Sequence, residues 1–272
     1  MLIDLHVHLD SYSDYEVSQI LDRAKDVGVG LVISAGTTIS STERSIQLSS
    51  IYPNFFSGVG IHPMDIEMKP SLYEIEKLHE LASSSEKVLV MSEIGLDFME
   101  NMPDRSWQYD LFRGQIQIAR SLDLPIVFHS REAHSECFRI LREERAYEVG
   151  GVMHYFQGSL YEAEAIIDLG FKISIARPLF RIETLRDVVK KVPLEKLVIE
   201  TDAAPQPFKK KRENWTEPRH LRPIMKEIAN LRNQDEAIVE NAILQNTQEV
   251  LWKRWGTVLK FIPEAQVTMG LK

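Results

Sequence analysis

Apolar and polar positions along this chain follow two periods that take turns from one end to the other. Short runs rich in β-branched residues alternate with longer stretches whose apolar residues recur three and four apart, the signature of βα units feeding a parallel sheet. The first run, Leu2 to His6, leads to a helix opened by a capping box of Ser13 with Glu16; it carries Ile20, Leu21, Ala24 and Val27 on one face and ends at Gly28. Further strands are expected at Gly30 to Ser34, Phe55 to Gly60, Val88 to Glu93, Pro125 to His129, Gly150 to His154, Phe171 to Ser174 and Lys196 to Glu200. Helical patterns fill the intervals at Thr42 to Ile51, Leu72 to Ala82, Arg105 to Leu122, Ala133 to Tyr147, Leu160 to Leu169 and Ile182 to Val192.

Eight such strands with helical crossovers predict a single-domain α/β fold, the closed (β/α)8 TIM barrel. An open doubly wound sheet is the alternative, and it would leave edges to protect. The stretch from Pro218 to Trp255, with Leu221, Ile224, Met225 and Ile228 and then Ile238, Ile243 and Leu244 apolar, adds C-terminal helices that close the barrel. The barrel is assigned to residues 1–256; residues 257–272 have no clear period and read as an irregular or partly ordered tail.

Composition adds bounds rather than detail. The 272 residues fit one barrel, which commonly takes roughly 250. A charged fraction of 26% and a net charge of −8 fit a soluble protein and do not advertise a nucleic-acid binder. No apolar run approaches the roughly 18 residues of a membrane span, and Met1 leads straight into a strand without a basic leader. A cytoplasmic protein with no membrane contact and no obligate protein partner is expected. The single cysteine, Cys137, lies beside Phe138, Ile140 and Leu141 and reads as packing.

Chemistry gathers at the strand ends, where a barrel of this kind keeps its active site. His6 and His8 are two apart on a strand, so their imidazoles point the same way. His62 follows the third strand, Glu93 ends the fourth, His129 the fifth and His154 the sixth, and Asp202 follows the eighth. Five of the eight histidines thus stand at strand exits, whereas chance would scatter most onto helices and loops. Imidazoles with carboxylates suit divalent cations, and two such ions a few ångströms apart favour phosphoester hydrolysis. Glu93 closes the apolar strand Val88-Leu89-Val90-Met91, where an ionised side chain is costly unless paired or metal-bound. His79, His134 and His220 lie on helices or loops and are read as ordinary surface or core residues.

The strings Glu93-Ile94-Gly95-Leu96-Asp97, Leu124-Pro125-Ile126-Val127-Phe128-His129-Ser130-Arg131, His154-Tyr155-Phe156-Gln157-Gly158 and Glu200-Thr201-Asp202-Ala203, with Gly58-Val59-Gly60-Ile61-His62-Pro63, resemble the TatD-type metal-dependent deoxyribonucleases of the amidohydrolase superfamily. The likeness runs in order from Asp4 to about Leu251. It implies two divalent ions, Zn, Mg or Mn, with His6, His8 and Asp202 at one, His129 and His154 at the other, and Glu93 touching both. It further implies that Asp202 takes the proton of the attacking water and that His62 and Arg131 bind substrate phosphate, a role that suits the guanidinium fork. The implied activity is phosphodiester cleavage by an exonuclease on DNA or RNA ends.

Departures fall at Tyr155-Phe156-Gln157, where the family usually carries Cys and Ser. Others fall at Ala203-Ala204-Pro205, where proline normally follows the first alanine, and at Thr216-Glu217-Pro218 in place of Asn-Glu-Pro. They bear on the substrate pocket more than on the ligands. The run Lys209-Lys210-Lys211-Arg212 with Trp215 lies in the same loop and is a candidate contact for a phosphate backbone and a stacked base.

Other readings remain at this stage. Asp4-Leu5-His6-Val7-His8 with Tyr12-Ser13-Asp14 also resembles the phosphomonoesterases of the polymerase-and-histidinol-phosphatase type, although the later strings fit that family poorly. Glu93 stands where C–N-cleaving amidohydrolases often use a modified lysine. A non-catalytic barrel that binds nucleic acid and uses metals as staples is the alternative of another class.

Overall fold

The computed structural model describes residues 1–265. Strands β1 (Leu2–Val7), β2 (Val29–Ser34), β3 (Phe55–Val59), β4 (Val88–Asp97), β5 (Ile126–Arg131), β6 (Gly151–Met153), β7 (Phe171–Ile175) and β8 (Leu197–Ile199) pair in chain order, and every pair is parallel. The ring closes through a parallel bridge between Val7 and Ala203, with His8 N donating to Ala203 O at 2.7 Å and Asp202 N to His6 O at 3.1 Å. These bonds tie the exits of β1 and β8 together, which is where three of the expected ligands stand.

Crossover helices α1 (Asp14–Lys25), α2 (Ile39–Ile51), α3 (Leu72–Ser83), α4 (Arg105–Ser121), α5 (His134–Glu143), α6 (Leu160–Asp168) and α7 (Glu183–Lys191) cover the outside. The Ser13–Glu16 box opens α1 as expected, and boxes at Ser71 with Glu74 and Ser159 with Glu162 open α3 and α6 in the same way. The helical remainder divides at Asn233, whose left-handed backbone ends α8 (Leu221–Arg232) before α9 (Glu236–Val250) begins. In α9 the buried face is Val239, Ile243 and Val250; Ile238, expected on that face, is exposed.

Two differences from the expected layout carry consequences. Strand β4 runs on past Glu93 to Asp97 and pairs Gly95 with His129 and Asp97 with Arg131. A side chain at Gly95 (φ +145°) would meet His129 O at 2.0 Å, so only glycine lets the two strands approach here. The segment expected to be irregular from Thr257 instead contributes to helix α10 (Trp255–Phe261) and a 3-10 turn at Pro263–Ala265; residues 266–272 of the expected tail lie outside the described residues.

Helix α10 closes the lower end of the barrel. Ile3, Leu5, Leu31, Ile33, Val90, Val127, Val152 and Val198 fill the interior, and Leu251, Trp255, Val258 and Ile262 pack beneath them. Ile3 and Leu5 enter this apolar core while His6 and His8 face the mouth, a change of parity made by the irregular register between Asp4 and Val7.

One buried cation ties this lower end together. Lys87 is 5% exposed and donates to the carbonyls of Ser49 and Tyr52, both at 2.6 Å, and of Phe55 at 3.2 Å. Helix α2 has no basic residue in its last turn, so Lys87 supplies the donors its C-terminal carbonyls lack. It also lies over the rings of Phe56 and Phe261. Replacing Lys87 by Met should cost about 2–4 kcal/mol in urea unfolding at neutral pH, because three buried carbonyls lose their partner; a loss under about 1 kcal/mol would refute this account. Burial lowers the Lys87 ammonium to about 8, against roughly 10.4 when unfolded. Between those values the unfolded chain holds more protons, so wild type should gain on Lys87→Met as pH rises through that window.

Candidate metal centre

Glu93, 3% exposed, lies at the centre of the barrel mouth with five imidazoles turned toward it. Its Oε2 is 3.2 Å from His6 Nε2 and 3.4 Å from His8 Nε2. Its Oε1 is 3.3 Å from His62 Nε2, 3.1 Å from His129 Nδ1 and 3.4 Å from His154 Nε2. Asp202, its backbone left-handed at φ +53°, stands 3.3 Å from His8 Nε2 through Oδ1. All six ligands expected from the sequence therefore converge, and His62, expected at substrate phosphate, is as close to Glu93 as they are.

The outer face of each ring shows how the ligands are aimed. His129 Nε2 is 2.9 Å from Asp97 Oδ2, so Nδ1 is the atom turned inward. His154 Nδ1 is 2.7 Å from Glu200 Oε1, so here Nε2 is turned inward. At His129 the carboxylate on the outer nitrogen holds the ring proton there and leaves the inner lone pair for a cation; the Glu200 oxygen beside His154 Nδ1 favours the same arrangement. Asp97 also takes Arg131 Nε at 2.8 Å, and Glu200 also accepts from Tyr155 N at 2.8 Å. Asp4 accepts from both Thr201 N and its hydroxyl, which anchors the turn that carries Asp202.

Asp97, Glu200 and Asp4 lie within motifs quoted from the sequence, yet their roles come from neighbouring strands. The signal available in advance was a carboxylate buried in or beside an apolar strand, the one that singled out Glu93.

These donors fit divalent cations. His6 Nε2 and His8 Nε2 face each other at 3.1 Å, and the His6 and His154 rings stack at 3.8 Å between centroids. Inner nitrogens crowded this way need positive charge among them. Groups of His6 with His8 and Glu93, of His6 with His154 and Asp202, and of His62 with Glu93 and His129 each bring ligand atoms within 4.8 Å of one another. Burial opposes ionisation of Glu93, but the His62, His154 and His6 charges hold its carboxyl well below the usual range. Burial likewise opposes ionisation of Asp202, and His8 and His154 bring it down to about 2. Without a cation the centre keeps Glu93 and Asp202 ionised, their charges raise His8, His129 and His154 against the cost of burial, and burial lowers His6.

A cavity of about 630 Å³ opens above this floor, lined by Arg131, His134, Tyr155, Gln157 and Ala204 among others. Two of the departures from the family strings, Tyr155 and Gln157, thus face the space a substrate would enter, while Phe156 is buried. The Arg131 side chain is 46% exposed and lines the cavity; Nε is held by Asp97 and Nη2 donates to Met64 Sδ at 3.7 Å, which leaves Nη1 for a ligand. His134, read as ordinary, lines the cavity with its Nδ1 2.8 Å from Ser130 Oγ. The basic run divides: Arg212 pairs with Glu217 and lies over the rings of Tyr12 and Trp215, Lys211 pairs with Glu213, and Trp215 packs against the core. Arg212 and Trp215 are therefore part of the loop's own framework.

Comparison with known proteins agrees with this geometry. Residues 3–252 match the family described as TatD related DNase. The chain is 31% identical over 257 residues to YabD of Bacillus subtilis, called a metal-dependent hydrolase, covering 92% of this chain and 98% of that one. It is also 31% identical to the 3'-5' ssDNA/RNA exonuclease TatD of Shigella flexneri, over 87% of this chain and 93% of that protein. The crystal structure of the TatD homologue YjjV from Escherichia coli superposes with a TM-score of 0.83 at 30% identity, covering 92% of this chain and 97% of that one. Among the described residues no helix is long and apolar enough to cross a membrane. On the match along nearly its whole length, the chain belongs to the TatD-related family of metal-dependent hydrolases.

Proposed function

We propose that this protein is a divalent-metal-dependent phosphodiesterase that removes nucleotides from the ends of single-stranded DNA or RNA. The observation that carries this reading is the Glu93 carboxylate, one oxygen turned to His6 and His8 and the other to His129 and His154, beneath a cavity that Arg131 lines. His6, His8 and Asp202 would hold one ion, His129 and His154 the other, with Glu93 in reach of both. Divalent ions held there supply Lewis acidity, which acidifies water and offsets charge on the phosphoryl oxygens.

The remaining steps fall to side chains of the chain itself. Asp202 is ionised and partly open to the cavity, so its carboxylate takes the proton of the attacking water. Arg131, braced through Nε by Asp97, turns its other donors to a phosphate oxygen as charge builds there. His62 borders the same cavity and reaches the phosphate or completes the ligand set. The Shigella relative named for exonuclease action on single strands supports the substrate class.

End-labelled single-stranded DNA offered to metal-stripped protein should stay intact and should shorten stepwise once Mg²⁺, Mn²⁺ or Zn²⁺ is restored. Glu93→Ala and Asp202→Ala should each lower kcat by about a hundredfold or more while keeping the wild-type fold by circular dichroism; stepwise shortening at the wild-type rate by either would overturn the assignment. Cleavage confined to small phosphomonoesters would move the protein to the other phosphatase class. Asp97→Ala should weaken metal binding about 10- to 100-fold, read by competition with a chromophoric chelator, because His129 loses its outer partner. Unchanged affinity would show that Asp97 does not orient the ligand.

A further inference from the structure

Beside the metal cavity, the turn after β7 and the loop after β8 stand next to each other, since those strands are hydrogen-bonded neighbours. The 3-10 turn Arg177–Phe180 and the following Arg181 put two guanidinium groups and a phenyl ring into solvent. Phe180 is 48% exposed, and Phe208 in the neighbouring loop is 78% exposed. Most phenylalanines of this chain are buried, so two rings left in water at one side of the mouth call for a ligand.

The charges there are free as well. Among the described residues neither Arg177 nor Arg181 has a carboxylate within 4.0 Å, whereas nearby Arg186 is held by Glu227 and Arg212 by Glu217. Lys209 Nζ donates to the Asn214 carbonyl at 3.0 Å and, among the described residues, has no carboxylate within 4.0 Å. Burial lowers the Lys209 ammonium and the charge of Arg177 lowers it further. Phe156 N donates to Ser174 O at 3.0 Å, so the segment that carries Tyr155 is tied to β7, and Tyr155 lines the metal cavity.

A single nucleic-acid strand alternates anionic phosphates with flat base faces, while a duplex hides those faces by pairing. Cations interleaved with exposed rings match the single strand. We infer that Arg177, Arg181 and Lys209 hold phosphates of the strand beyond the scissile bond, and that Phe180 and Phe208 stack its bases. The strand then leaves the cavity past Tyr155 and crosses the β7 and β8 side of the mouth. This rests on the phosphodiesterase reading above. It also moves the nucleic-acid contact expected of the whole run Lys209 to Arg212 with Trp215 to Lys209 and the neighbouring β7 turn.

The test is binding of a fluorescent phosphorothioate thymidine dodecamer, which resists cleavage, to the metal-loaded protein. The double variant Arg177→Ala with Arg181→Ala should weaken binding about tenfold at low salt. Its plot of log affinity against log salt should flatten by about 1.4, since each single-strand phosphate contact contributes roughly 0.7. Phe180→Ala should weaken the dodecamer about fivefold but leave an abasic dodecamer unaffected, because only the first offers bases to stack. The advantage of a dodecamer over a dinucleotide in kcat/KM should fall about tenfold in the double variant.

Wild-type affinity and salt slope in the double variant, or equal loss on a blunt duplex, would overturn the strand wall while leaving the phosphodiesterase reading intact. Wild-type protein that hydrolyses small phosphoesters yet neither binds nor cuts any strand would overturn both.

Discussion

The Glu93 carboxylate, buried in the mouth beneath five imidazoles, sets the conditions that the upper half of the barrel has to meet. A carboxylate so far from water is stable only when surrounded by partners. Each ring that serves it needs an anchor of its own. For His129 that anchor is Asp97, for His154 it is Glu200, and for the turn bearing Asp202 it is Asp4 acting through Thr201. These anchors lie on strands other than those of the groups they hold, so the centre exists only once the ring of strands has closed. The lower half meets the opposite condition: aliphatic side chains fill it, and α10 seals it from below. A rigid apolar base under a polar floor keeps ligand positions narrow enough for a cation to bind without rearrangement.

How much of this was legible in advance follows from the distance over which each feature is decided. The alternation of strand and helix and the Ser13–Glu16 cap are local signals that reappear in place, and the six side chains expected to hold metal are brought together at the mouth. The extension of β4 to Asp97 was hidden because Gly95 reads as a turn residue; only the approach of His129 O shows why glycine sits within a strand. Helix α10 has 7 residues, too few for an apolar period to stand out, and packing beneath the barrel decides it. Arg212 and Trp215 looked available in a basic run, but Glu217, Tyr12 and the core had already engaged them. Partners remote in sequence were the common element in what stayed hidden.

The floor of the cavity is more tightly constrained than its walls. The floor admits few alternatives, since a lost imidazole would leave a buried charge unmatched. The walls include Tyr155 and Gln157, where the chain departs from the family strings, and Ala204 in the loop after β8. They surround the space without anchoring a ligand from below, so they can vary without dismantling the centre.

Electrostatics joins floor and wall. Glu93, Asp97, Glu200 and Asp202 bring carboxylates to the mouth of a chain whose net charge is already −8. A phosphodiester approaching that floor alone would be repelled. Two divalent cations would match four carboxylates in charge and leave Arg131 as net positive charge facing the cavity. Arg177 and Arg181, exposed in the turn after β7, would add that sign beside the mouth and favour the approach of an anionic strand. An overall acidic protein can in this way take a polyanion as substrate, provided the cations are bound first and the strand arrives from the basic side.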